Sequence, residues 1–452
     1  MAAKVGLVDC NNFYVSCERV FQPHLRKKPV AVLSNNDGVV IARSNELKKL
    51  GIPAGAPYFK WKKQIEALNA YILSSNYLLY GDMSMRVMET IQYHAEEVEI
   101  YSIDEAFISI TPEYGKTYRE FGLKLKDAIQ QWTGIPVSIG LSSTKTLAKI
   151  ANHLAKKEEV HEGVCDLEEY DPERKCFSRL PIDEVWGFGR RITKRLNEQG
   201  MNTIADVLKK PESWVRKELH VTGLKTVKEL KGTPCLTLEE VEPERKSMVH
   251  SRSFGRPITS FEEMTEAVSN YAERGAIKLR KAGLAPRMLT VFILTNRFNL
   301  NKPQYSNQCA VTLPTPTNFT PKLIDAALSG LKKIFKPGYD YQKAGILFTD
   351  LTPEDTLQQN LFDDVSEAEL EKRQKLSQMV DDLNNRFGRN TISFAASGTK
   401  RSWRMKSDLL SPQFTTSWDE LLVVKTAQSD VQSEENGQES GGENKDPLVG
   451  KK

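Results

Sequence analysis

The sequence predicts an α+β protein of several domains, and three observations carry that prediction. The chain has 452 residues, more than one hydrophobic core holds, so three or four units are expected. Short runs rich in Val, Ile, Phe and Tyr alternate with stretches of helical period, the mixture that gives sheets with helices on one face. The composition also shifts after Leu180 and again near Lys246, where the charged linker LEEVEPERKS intervenes.

Taken in order, KVGLVD (4–9) reads as a buried first strand ending on Asp9, and NNFYVSCERVF as a helix whose leading asparagines can cap it. KKPVAVLS is a second strand, and NNDGVVIARSNELKKLGIPAG alternates turn, short strand and helix. VEIYSI and AFISI are each strand-length and flank the pair Asp104-Glu105. Residues 118–133 are helical by period, 136–143 form a strand and 144–157 a helix. Beyond Leu180, residues 180–208 read as two short helices around WGFG, with a looser second copy at 215–232. Between Lys246 and Leu351 the strand-like runs MVHSRSFG, MLTVFILTN and AGILFTDL interleave with two helical runs. From Ala427 onward large apolar side chains almost vanish, which predicts a disordered tail.

The formal net charge of +4 announces no partner by itself, although the tail is acidic and leaves the body more basic. Six scattered cysteines include no C-x-x-C pair, so zinc or dithiol chemistry is not expected. There is no signal-peptide pattern and no apolar run of membrane-spanning length, which predicts a cytoplasmic protein without a membrane partner.

Asp104 and Glu105 interrupt a run otherwise suited to burial. Neighbours in an unbroken strand point to opposite faces, so the two carboxylates can converge only at a turn, here the tip of a hairpin. Two adjacent anions repel unless a cation lies beside them. Should the first strand lie next to this hairpin, Asp9 joins the pair at one sheet edge. Three carboxylates there suit hard divalent cations, and two such ions steady the attacking and leaving oxygens in phosphoryl transfer. A solvated polar turn is the plainer alternative.

Several motifs in one order carry a resemblance over about residues 4–425: VDCNNFYVSCE (8–18), SNNDGVVIAR (34–43), SSNYLLYGDMS (74–84), YSIDEAF (101–107), LSSTKTLAKIANHLAKK (141–157) and VWGFGRRITKRL (185–196). Together they resemble the Y-family translesion DNA polymerases. SRSFG, YQKAG, QQNLFDD and the W-x-M-K before LLSPQFTT resemble, within that family, the UmuC branch, the catalytic subunits of bacterial DNA polymerase V and plasmid-borne relatives. The resemblance implies a right-hand polymerase with a palm (1–25 and 80–180), fingers (26–79), a helix-hairpin-helix thumb (181–240) and a little finger (246–351). A UmuC-type C-terminal region (352–425) and a disordered tail (426–452) follow.

It further implies that Asp9, Asp104 and Glu105, with the Cys10 carbonyl, hold two Mg²⁺ ions. Tyr14, with Phe13 before it, matches the steric gate that rejects a ribose 2′-OH; core packing is the alternative for both rings. Lys145, Lys149 and Lys156 fall on one helix face; the stripe alone reads as solvated, whereas by resemblance Lys156 contacts the triphosphate and Lys145 and Lys149 contact DNA. Asn45 and Lys48 stand where many members have Tyr and Arg, so Lys48 and Arg43 are expected to share the phosphate clamp. Gly187 and Gly189 of WGFG would let backbone N–H groups grip a DNA phosphate.

Gln358, Leu361 and Phe362 of QQNLF match the peptide that plugs a sliding clamp, with pinning of a loop as the alternative. The implied partners are primer-template DNA, dNTP, the clamp, a UmuD-like dimer and RecA. The implied role is lesion bypass in DNA repair and the SOS response, at the nucleoid. A nucleotidyl cyclase or a clamp-tethered non-catalytic scaffold are the competing readings.

Overall fold

The computed structural model describes residues 3–111, 115–238, 245–354, 367–421 and 423. Lys4–Cys10 forms strand β1 and Phe13–Phe21 helix α1. A small unit follows from β2 (Val30–Leu33), β3 (Val40–Arg43), α2 (Asn45–Lys49), α3 (Tyr58–Ala67) and β4 (Tyr71–Ser74), its strands ordered β3-β2-β4. Helix α4 (Tyr77–His94) returns to the first unit and leads into the hairpin of β5 (Glu97–Ile100) and β6 (Glu105–Ile110). Then come α5 (Tyr118–Thr133), β7 (Val137–Ser142), α6 (Lys145–Lys157), β8 (Val164–Asp166) and α7 (Leu167–Tyr170).

The sheet of this unit runs β5-β6-β1-β7-β8, with β1 antiparallel to both β6 and β7. Alternation sorts its side chains between two layers. Val8, Ala106, Ile108, Val137 and Ile139 pack on one face with α1, α4 and α5, while Leu7 and Phe107 pack with Ala148 of α6 on the other. Helix α6 comes so near β7 that a Cβ on Gly140 would lie 2.1 Å from the Asn152 backbone nitrogen. Buried Asn152 fastens the contact, its Nδ2 donating to the Ser138 carbonyl at 2.7 Å.

The segment before WGFG is one 3-10 turn, Ile182–Glu184, and not the helix expected there. Only four residues separate Pro181 from Trp186, too few for an α-helix to propagate. α8 (Arg190–Glu198), α9 (Ile204–Leu208) and α10 (Glu212–Leu230) follow, and α10 breaks at His220, whose φ is 59°, so the looser second copy is helix, break and helix.

β9 (Ser247–Ile258), α11 (Phe261–Lys281), β10 (Leu284–Thr295), β11 (Ser306–Thr312), α12 (Thr320–Ile334) and β12 (Tyr341–Pro353) make an antiparallel sheet ordered β11-β10-β12-β9 against two helices. β11 carries no strand signal in the sequence, because SNQCAVT is a polar edge strand without the apolar alternation of its neighbours. After α13 (Glu367–Phe387) an irregular segment crosses back over the molecule: Trp403 lies in the core of the four-stranded unit and Phe414 in that of the five-stranded one. QQNLF and the tail expected to be disordered lie outside the described residues. No helix among the described residues is long and apolar enough to cross a membrane.

Candidate active site

β1 and β6 pair with Asp9 directly opposite Glu105, and cross-strand partners project from the same face. The hairpin turn brings Asp104 beside them, its carbonyl accepting from the Cys10 N–H at 2.8 Å. Ser102, not singled out from sequence, knits the turn. Its hydroxyl donates to Asp104 Oδ1 at 2.7 Å and accepts from the N–H groups of Asp104 and Glu105.

Helix α6 delivers cations to these carboxylates. Lys156 Nζ lies 2.6 Å from Asp9 Oδ1, and Lys149 Nζ lies 2.8 Å from Glu105 Oε2. Lys145 pairs with Glu99 and its side chain is only 4% exposed. The lysine stripe is therefore turned inward, against the sheet. Lys145 is not presented to a duplex, and Lys149 is engaged by Glu105 and by the rings of Tyr101, Phe107 and Trp186 at 4.8, 5.5 and 5.3 Å. Helical period gives the face of a residue but not what that face meets, which is why the solvated or DNA-facing expectation for Lys145 and Lys149 fails here. Trp186 of WGFG thus packs against the acidic turn, edge-on to Tyr101.

Burial pushes the Asp9 carboxyl up to about 7 against the opposing charge of Lys156, and a hydrogen bond shared with Glu105 adds to the rise. For Glu105 burial also acts upward, but the hydrogen bond from Asp9 and the Lys149 ammonium outweigh it and hold its carboxyl below the usual range.

A second group of cations gathers nearby. Lys48 donates to the Asn12 side chain, Asn12 donates in turn to Asn45 at 3.0 Å, and Arg43 bonds the Ile52 carbonyl. Burial first, then the charges of Arg43, Lys156 and Lys157, pulls the Lys48 ammonium below its ordinary value, so three further cations lie near enough to act on Lys48. Such a cluster favours an anion with several negative charges. Asn12 sits at the N-cap position of α1 in left-handed geometry with no side-chain cap bond, so its amide serves this cluster and not the helix, contrary to the capping expectation.

Phe13 is buried in the core at 3% exposure, which removes it from any gate. Tyr14 is half-buried, its ring stacked on Tyr80 with centroids 4.4 Å apart and planes 13° apart. Gly187 has φ +87°, a conformation side chains resist, and Gly189 opens on space where an added Cβ would meet nothing within 4 Å. Gly189 precedes α8, whose first residues Arg190 and Arg191 are exposed.

The donor set suits a hard cation, since Asp9, Asp104 and Glu105 offer only oxygen. Burial holds the Cys10 thiol protonated, leaving its carbonyl as the group it can offer. Two of the carboxylates already carry a cationic ammonium each, standing where positive charge is wanted. As they lie, no three His, Cys, Asp or Glu side chains among the described residues converge into a ligand cage.

Residues 8–153 match the impB/mucB/samB family, residues 245–361 its C-terminal domain, and residues 374–424 a domain of unknown function, DUF4113. Protein UmuC of Salmonella typhimurium is 45% identical over 422 residues, covering 93% of this chain and 100% of that protein. DNA polymerase IV 2 of Bacillus subtilis is 28% identical over 406 residues, covering 87% and 94%. A Y-family DNA polymerase chimera has the same fold, with a TM-score of 0.59 at 22% identity over 77% of this chain and 98% of its own. With the carboxylates of β1 and β6 set under the lysines of α6, and with this similarity along nearly its whole length, the chain belongs to the impB/mucB/samB family, the UmuC branch of the Y-family translesion DNA polymerases.

Proposed function

We propose that the chain is a template-directed DNA polymerase that adds deoxynucleotides to a primer 3′-OH opposite damaged template. The observation that carries this is the register of Asp9 opposite Glu105, with Asp104 in the adjoining turn and the cations of Arg43, Lys48, Lys156 and Lys157 alongside. The five-stranded unit acts as palm (1–25 and 80–180), residues 26–79 as fingers, 181–240 as thumb and the four-stranded unit (246–351) as little finger.

Asp9, Asp104 and Glu105, with the Cys10 carbonyl, would hold two magnesium ions, which when bound supply positive charge at the attacking hydroxyl and at the departing pyrophosphate. Lys156, together with Arg43 and Lys48, binds and orients the triphosphate; its ammonium is the one member of the cluster already at the carboxylates. Tyr14 walls off the space a ribose 2′-OH needs, so sugar selection works by exclusion. Gly187, Gly189 and the start of α8 grip the duplex backbone without reading sequence. Lys149 acts by orienting Glu105, a role that replaces the DNA contact expected for it.

Gln358, Leu361 and Phe362 dock the chain on a sliding clamp, and a UmuD-like dimer and RecA assist synthesis at the chromosome. A cyclase needs neither WGFG nor the third unit, and a scaffold needs no carboxylate triad. Primer extension with dNTPs and magnesium, on plain and lesion-bearing templates, with and without a UmuD-like dimer and RecA, tests this reading. Extended primer supports it; cyclic nucleotide, or no product under any combination, overturns it.

A further inference from the structure

The segment 403–414, inside the domain of unknown function, reaches the back of the Tyr14 wall. Tyr80 is fully buried, and its ring carries the stacked ring of Tyr14 while its hydroxyl donates to Glu18 Oε1 at 2.7 Å. Glu18 is itself 0% exposed, and no Lys or Arg pairs with it among the described residues. A buried carboxylate without a cation has to be held by neutral donors. Three are present: Tyr80, Gln22 at 3.0 Å and Ser411 at 2.9 Å.

Ser411 comes from about 330 residues further along the chain than Tyr80. It is fixed in turn by Asn76, whose amide donates to the Ser411 carbonyl at 3.1 Å, to its hydroxyl at 3.0 Å and to the Pro412 carbonyl at 3.1 Å. Asn76 also caps α4, the helix that bears Tyr80. Phe414 stacks on Phe21 of α1, the helix that bears Tyr14, at 5.1 Å and 8°. Upstream, the Trp403 carbonyl accepts from Gly255, and the N–H groups of Lys406 and Asp408 donate to Asn36 and Asp37. The segment is thus anchored at the four-stranded unit and ends behind both helices of the gate.

We infer that this C-terminal segment is a positioning element for sugar selection, with Ser411 setting Tyr14 through Glu18 and Tyr80. A wall discriminates only while it cannot yield, and a side chain is held to a fraction of an ångström by the groups that lock its neighbours. Ser411 touches no substrate; it acts through the chain Glu18, Tyr80, Tyr14. The inference rests on Tyr14 being the sugar gate.

The test is kcat/KM for ATP and for dATP opposite one template dT, with the full chain, magnesium and a primed template. Because both sugars are read on one preparation, their ratio is independent of the fraction of active protein. Ser411→Ala is expected to raise the ribo-to-deoxy ratio about fivefold. Glu18→Gln, which keeps an oxygen able to accept from both Tyr80 and Ser411, is expected to leave the ratio unchanged. In a Tyr14→Ala background, adding Ser411→Ala is expected to change nothing further, since the element it supports is gone. An unchanged ratio in Ser411→Ala, or an equal rise in the Tyr14→Ala background, overturns the inference while leaving the gate in place. A ratio unmoved by Tyr14→Ala overturns the gate itself and the inference with it.

Discussion

The five-stranded and four-stranded sheets treat charge in opposite ways. At the edge of the first, Asp9 and Glu105 are largely covered, and Lys145, Lys149 and Lys156 are drawn in to meet acidic partners. The covered face of the second is Leu289, Val291, Ile293, Ala344, Ile346 and Phe348, and its buried His250 is pushed down to about 3 by burial and the nearby Arg252, Lys278 and Arg274. Covering ionised groups costs free energy that an apolar core does not spend. The four-stranded unit also holds a covered pair, Arg280 with Asp381, but that pair joins α11 to α13, whereas in the five-stranded unit the covered pairs have their carboxylates on the sheet strands themselves.

The sharpest way to break that contrast is Asp104→Ala. Nucleotide addition should fall more than about a thousandfold, with primer-template affinity nearly intact, because a carboxylate is lost and no phosphate contact with it. Single-turnover incorporation beside a filter-binding titration measures both; an unaltered rate would take Asp104 out of the site.

Tyr14→Ala comes next. Ribonucleotide use relative to deoxynucleotide should rise about a hundredfold, near 2.7 kcal/mol in relative barrier. Losing a half-buried ring and its stack on Tyr80 should lower stability by only about 2 kcal/mol. A collapsed melting temperature with an unchanged sugar ratio would make Tyr14 packing alone.

Paired glycine variants sharpen the comparison. At Gly140 an added Cβ meets the Asn152 nitrogen at 2.1 Å and the Ala148 carbonyl at 2.2 Å, backbone that cannot swing aside. At Gly345 it meets the Ser251 Cβ at 2.3 Å, an atom as fixed as backbone, and the Phe292 ring at 2.5 Å. Gly140→Ala and Gly345→Ala should each cost about 2–3 kcal/mol by chemical denaturation. Only Gly140→Ala should also raise KM for dNTP, since it displaces the helix that carries Lys149 and Lys156. Equal effects on KM would separate α6 from the site.

The smallest effect is a pH dependence. Unfolded His250 takes a proton near 6.5 while the folded side chain resists to about 3, so its contribution is complete above pH 6.5 and is lost as pH falls toward 3. Between pH 6.5 and 5.5 the loss is about 1 kcal/mol. Unfolding curves of His250→Gln should be flatter than wild type over that span, and parallel curves would count against a buried neutral imidazole.

Much of the palm-like unit was legible because its signals are local. Strand β1, the hairpin around Asp104-Glu105 and helix α6 follow from apolar runs, period and turn chemistry, whereas the pairing of β1 with β6, a condition for gathering Asp9 with that pair, and its antiparallel sense come from the structure. What the lysines of α6 meet was not legible, since pairing with Glu99, Glu105 and Asp9 depends on how near α6 lies to the sheet. One signal was present: Gly140 inside the strand-like PVSIGLSS, where an interior glycine marks close backbone approach. Ser411 behind Tyr80 had no sequence signal at all, because a contact across more than 300 residues leaves no period.

The central claim is that Asp9, opposite Glu105 at the sheet edge, belongs to the centre of nucleotidyl transfer. Single-turnover incorporation of one dNTP by Asp9→Asn on a primed template, at saturating magnesium, tests it most directly. The expected result is a rate more than about a thousandfold below wild type with primer-template affinity within about twofold, as loss of an anionic ligand group predicts. Incorporation at the wild-type rate would contradict it.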